Sequence, residues 1–211
     1  MFITFEGPEG SGKTIQARLL AEYLRSRDLP VLLTREPGGT EIGDQIRSVL
    51  HDTRNTAMLP AAEILLYSAS RAQIVGQVIR PALEAGQIVL CDRYADSTLA
   101  YQGYGRRLGL QTLRLVTAFA TGGLVPDLTI YLDISVEAGL RRKQVAFQSG
   151  QGEWNRMDQQ STDFYRRVRE GYLDMAAQEP ERWALVNADR DIQEIHAEVR
   201  SLVEKRVGRR R

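Results

Sequence analysis

The feature that most constrains the fold of this chain is a glycine-rich segment near its start, Gly7-Pro8-Glu9-Gly10-Ser11-Gly12-Lys13-Thr14. It matches the pattern G-x-x-x-x-G-K-[ST], follows the apolar run of residues 2–5, and leads into apolar residues at helical spacing. In a strand–loop–helix context, backbone N–H groups converge on phosphates and the helix N-terminus adds partial positive charge. The segment therefore predicts an ATP-binding loop, in which Lys13 reaches the β- and γ-phosphates and the Thr14 hydroxyl holds Mg²⁺.

Predicted strands alternate with predicted helices along the rest of the chain. Further apolar, β-rich runs occupy residues 31–34, 88–91, 128–132 and 183–186. Helical spacing occurs at residues 41–51 and 60–85, where Pro81 should interrupt the helix, and again in a closing helix. This alternation predicts right-handed βαβ units. We expect one α/β domain over residues 1–211, with a five-stranded parallel sheet flanked by helices.

The composition excludes several classes of protein. Lys plus Arg number 28 and Asp plus Glu 27, so no overall field favours a nucleic acid or an anionic membrane as partner. No apolar run approaches the roughly 20 residues of a membrane span, and the single cysteine, Cys91, lies in an apolar strand. We expect a cytoplasmic protein without nucleic-acid or membrane partners. The basic end, residues 205–211, predicts a solvated, frayed terminus, with an anion-binding arm as the less favoured alternative.

A phosphate-binding loop occurs in switches, motors and kinases alike. Guanine-nucleotide switches carry an N-K-x-D motif, whereas Asn155-Arg156-Met157-Asp158 lacks the lysine. No glycine has an aspartate three residues before it, so the D-x-x-G loop is missing too. A small transferase is the leading interpretation, and a non-catalytic NTP-dependent switch is the alternative.

Three arginines suggest a second phosphate site. Arg35 and Arg93 come at the ends of the second and third predicted strands, and Arg47 lies on the predicted helix of residues 41–51, which follows the second strand. In open α/β sheets ligands bind beyond the carboxyl ends of the strands, which places Arg35 and Arg93 beside the glycine loop. The arginine fork suits phosphate. For Arg47, a surface salt bridge remains an equal alternative.

Six segments, in this order over residues 2–190, together resemble bacterial-type thymidylate kinases: FEGPEGSGKT, TREPGGTEIG, EILLYSASRAQ, DRYADSTLAYQG, PDLTIYLD and NRMDQQ. The resemblance implies a P-loop nucleoside monophosphate kinase fold with a lid. It also implies transfer of the γ-phosphoryl group from MgATP to dTMP, giving dTDP and ADP for dTTP synthesis, and a homodimer. A kinase for another nucleoside monophosphate, such as dUMP or UMP, is the alternative.

The resemblance assigns the contacts of the dTMP base and sugar. Tyr67 stands where the family stacks an aromatic ring on thymine, although core packing is its alternative role. Arg71 and Gln102 resemble residues that hydrogen-bond the base, and Ser97 lines that pocket or caps a helix. Tyr101 resembles the tyrosine that leaves no room for a ribose 2′-hydroxyl.

The resemblance also assigns the contacts of the phosphates. Arg35 and Arg93 resemble a clamp on the dTMP phosphate, with Arg93 also near the transferred group. Glu9 resembles an acid that binds the 3′-hydroxyl of dTMP. Glu36 and Asp92 act through Mg²⁺-bound waters or hold these arginines, and a purely structural pairing with Arg93 is the alternative for Asp92.

The lid is placed at about residues 141–157, which begin with three basic residues and continue from residue 144 as a glycine- and glutamine-rich connection. In this family subtype the lid supplies a catalytic arginine that the P-loop lacks. The aligned position here is Ala146. Arg142, Lys143 or Arg156 could replace that arginine, and we rank Arg142 and Arg156 above Lys143.

Overall fold

All five predicted strands form, and they pair in one parallel sheet. The structure is a computed structural model that describes residues 1–208. The strand order is β2-β3-β1-β4-β5. The strands are β1 (Phe2–Glu6), β2 (Val31–Arg35), β3 (Ile88–Asp92), β4 (Leu128–Asp133) and β5 (Trp183–Asn187).

The central strand β1 is buried along its whole length, because helices cover both faces of the sheet. In the register of the sheet, Phe5 lies opposite Asp92 of β3 and Ile130 of β4. Arg35 at the end of β2 also lies opposite Asp92. The carboxyl ends of these strands therefore meet at one edge, where the sequence predicts the phosphate sites.

Nine α-helices surround the sheet within residues 1–208. The last one includes the first four residues of the basic end, which corrects the prediction of a frayed terminus there, and residues 209–211 lie outside the described part of the chain. The helices are α1 (Lys13–Arg25), α2 (Glu41–His51), α3 (Pro60–Ile74), α4 (Arg80–Glu84), α5 (Ala95–Thr98), α6 (Leu110–Thr121), α7 (Val136–Gln148), α8 (Thr162–Gln178) and α9 (Ile192–Gly208).

The long helical region is interrupted as predicted from Pro81. Between α3 and α4 the chain forms a π-helical turn, Val75–Ile79. Pro81 has no N–H to donate to the carbonyl four residues earlier, and its ring crowds that carbonyl, so a regular α-helix cannot continue through it. The wider π-helical turn before Pro81 leaves room for the proline ring and needs no hydrogen bond from its nitrogen. A second π-helical segment, Leu99–Gly105, follows α5 and carries several of the predicted site residues.

The irregular part of the segment predicted as the lid begins later than expected, because α7 continues through Gln148 instead of ending near residue 144. Glutamine and alanine favour helices, and the first glycine of the segment comes only at Gly150, whose φ is +71°. Beyond it the chain is irregular as far as a short 3₁₀ helix, Arg156–Gln159. The basic residues before the lid therefore lie on a rigid helix.

The phosphate-binding loop packs directly on the first turns of α7. A Cβ atom added to Gly139 would overlap the carbonyl oxygen of Glu9, and one added to Gly10 would overlap the carbonyl oxygen of Gly139. Two backbones that approach this closely leave room only for glycine. A shift of α7 would therefore also displace the phosphate-binding loop, because the two backbones are in direct contact.

Gly139→Ala should lower both stability and ATP affinity. The added methyl meets backbone atoms that cannot rotate away, so we expect a loss of about 1–3 kcal/mol in the free energy of unfolding and a raised KM for ATP. Gly76→Ala is the control, since nothing lies within 4 Å of its Cβ position. Urea denaturation and steady-state kinetics check both variants, and wild-type behaviour of Gly139→Ala would contradict the packing described.

Candidate active site

One large cavity opens at the carboxyl edge of the sheet, with a volume of about 870 Å³. It contains most of the residues singled out from the sequence, although Gly7, Pro8 and Arg156 do not line it. The predicted residues that do line it are Glu9, Gly10, Ser11, Gly12, Lys13, Thr14, Arg35, Glu36, Arg47, Tyr67, Arg71, Asp92, Arg93, Ser97, Tyr101, Gln102 and Arg142.

Lys13 folds back over the phosphate-binding loop. Its Nζ donates to the carbonyl oxygens of Gly7 (3.1 Å) and Pro8 (2.8 Å) and to Ser11 Oγ (3.2 Å). Burial, together with the positive charge of Arg93, lowers the pKa of Lys13 to about 8. Lys13 Nζ is thus held at the loop, where it can donate a hydrogen bond to a phosphate oxygen.

Glu9 lies at the centre of a cluster of charges. Its Oε1 accepts from Arg93 Nη2 (2.7 Å) and from Tyr101 Oη (3.0 Å), and its Oε2 accepts from Lys143 Nζ (3.2 Å). Burial alone would raise the pKa of Glu9, but the charges of Arg93, Lys143 and Lys13 hold it well below its usual range. The carboxylate is therefore ionised and offsets three cations that would otherwise repel one another.

Arg93 has an unusual backbone conformation. Its φ is +68°, in the left-handed region that residues with a side chain seldom adopt. The surrounding hydrogen bonds enforce this turn: Arg93 N–H donates to Phe5 O (3.0 Å), and Tyr94 N–H donates to Glu6 Oε1 (2.8 Å). The turn points the guanidinium at the loop, where Nη1 also donates to Gly7 O (3.3 Å).

Glu6, which supports the site from behind without lining the cavity, was missed by the sequence analysis. It is fully buried at the end of β1, and burial raises its pKa. Its Oε2 accepts from Ser97 Oγ (2.6 Å) and from Tyr172 Oη (2.7 Å). Ser97 therefore lines the cavity and also belongs to this buried network. The sequence signal that could have identified Glu6 is its position as an acidic residue directly before Gly7, at the end of an apolar strand.

Arg71 and Glu36 form a buried ion pair in the cavity wall, with Nε–Oε2 at 2.7 Å. The other arms of the guanidinium donate to Thr98 Oγ1 (2.9 Å) and to Tyr94 O (3.1 Å). Burial raises the pKa of Glu36, and Arg71 opposes that shift. Glu36 therefore holds Arg71, which corrects the expectation that it holds Arg35 or Arg93. Arg71 retains N–H groups that can face a ligand.

Two tyrosines form apolar walls of the cavity. The Arg93 guanidinium carbon lies 5.0 Å from the centroid of the Tyr101 ring, a cation–π distance. The ring packs edge-on against Phe164 and Tyr172 at 6.1 and 6.3 Å. Burial raises the pKa of Tyr67 to about 12, so its ring stays neutral. The Tyr101 ring is thus held between Arg93, Phe164 and Tyr172, which suits a side chain that excludes a ligand group sterically.

Arg35 and Arg47 lie at the rim. The side chain of Arg35 is 55% exposed and lies 4.0 Å from Asp44. Arg47 Nη1 donates to Pro37 O (3.1 Å), and Nη2 pairs with Glu153 of the lid at 3.0 Å. Arg47 therefore both lines the cavity and forms a salt bridge, so the two alternatives for it coexist in this structure.

The three cations considered for the lid lie in different places. Arg142 donates to Ala188 O (2.7 Å) and Asp189 Oδ1 (3.0 Å), away from the loop. Arg156 is buried and donates to Leu50 O (3.0 Å) and a Glu63 oxygen (2.5 Å).

Lys143 is the one of the three that contacts the phosphate-binding loop, through Glu9, and it also pairs with Asp158 at 2.7 Å. The structure therefore does not support ranking Arg142 and Arg156 above Lys143. The reason is that Lys143 is held between Glu9 of the loop and Asp158, whereas Arg142 and Arg156 are paired elsewhere.

Thr14 and Asp92 place two oxygen ligands side by side that could hold a metal ion. The Thr14 hydroxyl donates to Asp92 Oδ2, and both residues line the cavity beside the loop. Hydroxyl and carboxylate oxygens suit Mg²⁺, which takes its remaining ligands from phosphates and water. Residues 1–208 contain no cluster of three or more His, Cys, Asp or Glu side chains that could hold a metal. The pair thus fits an ion delivered with a nucleotide.

Comparisons with known proteins identify the family of the chain. The family model described as thymidylate kinase matches residues 5–199. A thymidylate kinase of Roseiflexus sp. (strain RS-1) is 54% identical, with 97% of this chain and 93% of that protein covered. One from Deinococcus radiodurans is 50% identical, with 98% and 97% covered.

The crystal structure of thymidylate kinase from Ehrlichia chaffeensis superposes with a TM-score of 0.77 at 34% identity, covering 97% of this chain and 98% of that one. This similarity and the five-stranded parallel sheet of this chain identify the P-loop nucleoside monophosphate kinase fold. Together with the cavity described above, the similarity over nearly the whole length is decisive: the chain belongs to the thymidylate kinase family.

Proposed function

We propose that this chain transfers the γ-phosphoryl group of MgATP to dTMP, giving dTDP and ADP. The observation that carries the proposal is that one cavity is lined both by the phosphate-binding loop and by Arg35, Tyr67 and Gln102, with Arg93 in contact with the loop. A donor triphosphate and an acceptor nucleotide fit end to end in such a space. The relatives named thymidylate kinase support dTMP as the acceptor.

The main barrier to this reaction is repulsion between two polyanions. The acceptor oxygen of a monophosphate is already anionic, so it needs charge neutralisation and alignment more than a general base. Arg93 is the residue best placed for this, since it lies between the loop and the β3 exit and is held in position by Glu9. Lys13 would neutralise the donor phosphates.

Thr14 and Asp92 would hold Mg²⁺, which when bound neutralises charge on the β- and γ-phosphates. At the other end of the cavity, Tyr67 would stack on the base and Tyr101 would exclude a 2′-hydroxyl. Glu9 would contact the deoxyribose as well as Arg93. Their positions in the cavity wall support these roles.

Arg35 and Arg47 would bind the dTMP phosphate from the rim, and entry of that phosphate would compete with Glu153 for Arg47. Lys143 would be the lid cation nearest the transferred group, because it already contacts Glu9. Arg142 would act further along the donor nucleotide, and Arg156 would anchor the end of the lid.

We further propose a cytoplasmic homodimer. Leu115 and Phe119 lie one turn apart on α6 and are 67% and 91% exposed, and Leu65 of α3 is 62% exposed. Helices α3 and α6 pack against each other, and a contiguous apolar patch on neighbouring helices is typical of an association surface. No helix within residues 1–208 has both the length and the apolar character needed to cross a bilayer.

A coupled assay of ADP release with dTMP, dUMP, UMP, dCMP, AMP and GMP tests the proposed activity. We expect the highest kcat/KM with dTMP. Faster turnover of UMP than of dTMP would contradict the assignment of the base and sugar pocket. Slow ATP hydrolysis that does not depend on any acceptor would instead indicate a nucleotide-dependent switch.

Arg93→Ala should lower kcat by at least about 100-fold, the loss typical of removing one electrostatic stabiliser of a transition state. Arg27→Ala is the control, because Arg27 is exposed just beyond the far end of α1, away from the cavity. Single-turnover kinetics with saturating MgATP and dTMP measure the chemical step. An unchanged rate in Arg93→Ala would rule out its role at the transferred group.

The affinity for MgATP should fall as the pH rises above about 8. Since the pKa of Lys13 is lowered to about 8, the free protein carries a charged lysine below that pH and a neutral one above it. Binding phosphates then requires proton uptake, so the Kd should rise about tenfold per pH unit. Calorimetric titrations between about pH 7 and 9.5 check this dependence. A flat profile, or an equal slope in Lys13→Gln, would contradict it.

A further inference from the structure

A buried acid on α3 binds three side chains from two other parts of the chain. Glu63 has no solvent exposure. Its Oε1 accepts from Gln102 Nε2 (2.9 Å) and Arg106 Nε (2.7 Å), and its Oε2 accepts from Arg106 Nη2 (2.8 Å) and Arg156 Nη2 (2.5 Å). Gln102 lines the cavity, whereas Glu63 and Arg156 do not.

The protonation state of Glu63 follows from these partners. Burial alone would raise its pKa, but the hydrogen bonds from Arg106, Gln102 and Arg156 lower it below the ordinary value. Two guanidinium groups bound to one carboxylate keep it ionised. An ionised carboxylate has no proton, so Glu63 can only accept hydrogen bonds.

This determines which way the Gln102 amide points. A side-chain amide has a donor end and an acceptor end, and only the donor end can face an ionised carboxylate. The Nε2 group is therefore committed to Glu63. Within residues 1–208 no hydrogen bond uses Gln102 Oε1, and the side chain lines the cavity. The group that Gln102 offers to a ligand is thus an acceptor.

An acceptor at this position distinguishes pyrimidines. Thymine and uracil carry an N–H donor at ring position 3 and a carbonyl at position 4, whereas cytosine carries a bare nitrogen at position 3 and an amino group at position 4. Arg71, in the same cavity wall, can only donate. An acceptor at Gln102 and a donor at Arg71 match thymine and oppose cytosine at both positions.

We propose that Glu63 is a positioning residue for base selection: it locks the Gln102 amide so that the site accepts pyrimidines with an N3–H and rejects cytosine. This inference rests on the proposed binding of dTMP in this cavity. Cytosine would leave the buried polar groups of Gln102 and Arg71 without hydrogen-bond partners. Because an unpaired buried polar group costs its full desolvation free energy, such a ligand is strongly disfavoured.

The test compares dTMP with 5-methyl-dCMP, which differ only at ring positions 3 and 4. Glu63→Gln keeps the shape of the side chain but can donate as well as accept, so the Gln102 amide becomes free to flip. We expect the preference for dTMP, measured both as the ratio of kcat/KM values and as the ratio of Kd values, to fall at least about tenfold.

Two further variants separate positioning from stability. Glu63→Asp keeps the negative charge and withdraws the carboxylate by one methylene, which the long arginine side chains can follow and the shorter Gln102 side chain cannot. The preference should therefore fall in this variant also, even if Glu63→Gln does not fold. Arg106→Gln removes an ion pair but leaves the contact between Gln102 and Glu63. It should lower the Tm and leave the preference unchanged.

A folded Glu63→Gln or Glu63→Asp protein that keeps the wild-type preference would overturn the proposal, as would a wild-type protein that binds the two nucleotides equally. Failure of the proposed activity would look different. In that case the wild-type protein would bind dTMP more tightly than 5-methyl-dCMP, measured by calorimetry, without transferring a phosphoryl group to it.

Discussion

The balance of charge around Glu9 is the interaction on which the rest of the site depends. Lys13, Arg93 and Lys143 all lie close to one partly buried carboxylate. Without that carboxylate these cations would repel one another, and burial would favour their loss of charge. With it, the cavity holds a concentration of positive charge before any nucleotide enters. The phosphates of two nucleotides are the natural counter-ions of such a cavity.

The fold supplies this arrangement through the edge of its parallel sheet. The register of β1 with β3 brings the end of one strand beside the exit of the other, so Arg93 reaches the loop that follows β1. Glu6, buried behind the loop, holds the strained turn at Arg93 from below. The hydrogen bonds of Glu6 behind the cavity therefore help to orient the Arg93 side chain toward the loop.

The sequence predicted the strands and the phosphate-binding loop because both depend on local patterns. Runs such as Ile88–Asp92 are buried on both faces and are therefore almost entirely apolar, and the glycine loop has a fixed spacing. Pro81 likewise predicted the break in the long helix from its own chemistry. The lid had no such pattern, so the extension of α7 and the position of Lys143 could not be anticipated.

The buried acids could not be predicted for a different reason. Glu6 and Glu63 pair with residues far away in the chain: Tyr172 is 166 positions from Glu6, and Arg156 is 93 positions from Glu63. Single residues of this kind carry no periodic signal, and their partners become visible only in the folded chain. Gln102 was singled out as a base contact, but the direction of its amide depends on such a partner.

The central claim is that donor and acceptor nucleotides meet end to end in one cavity. It is tested most directly by a single molecule in which adenosine and thymidine are joined through a chain of phosphates. If both nucleosides occupy the two ends of this cavity, the compound should inhibit competitively against ATP and also against dTMP. Competition against only one of the two substrates would place them in separate sites and contradict the account.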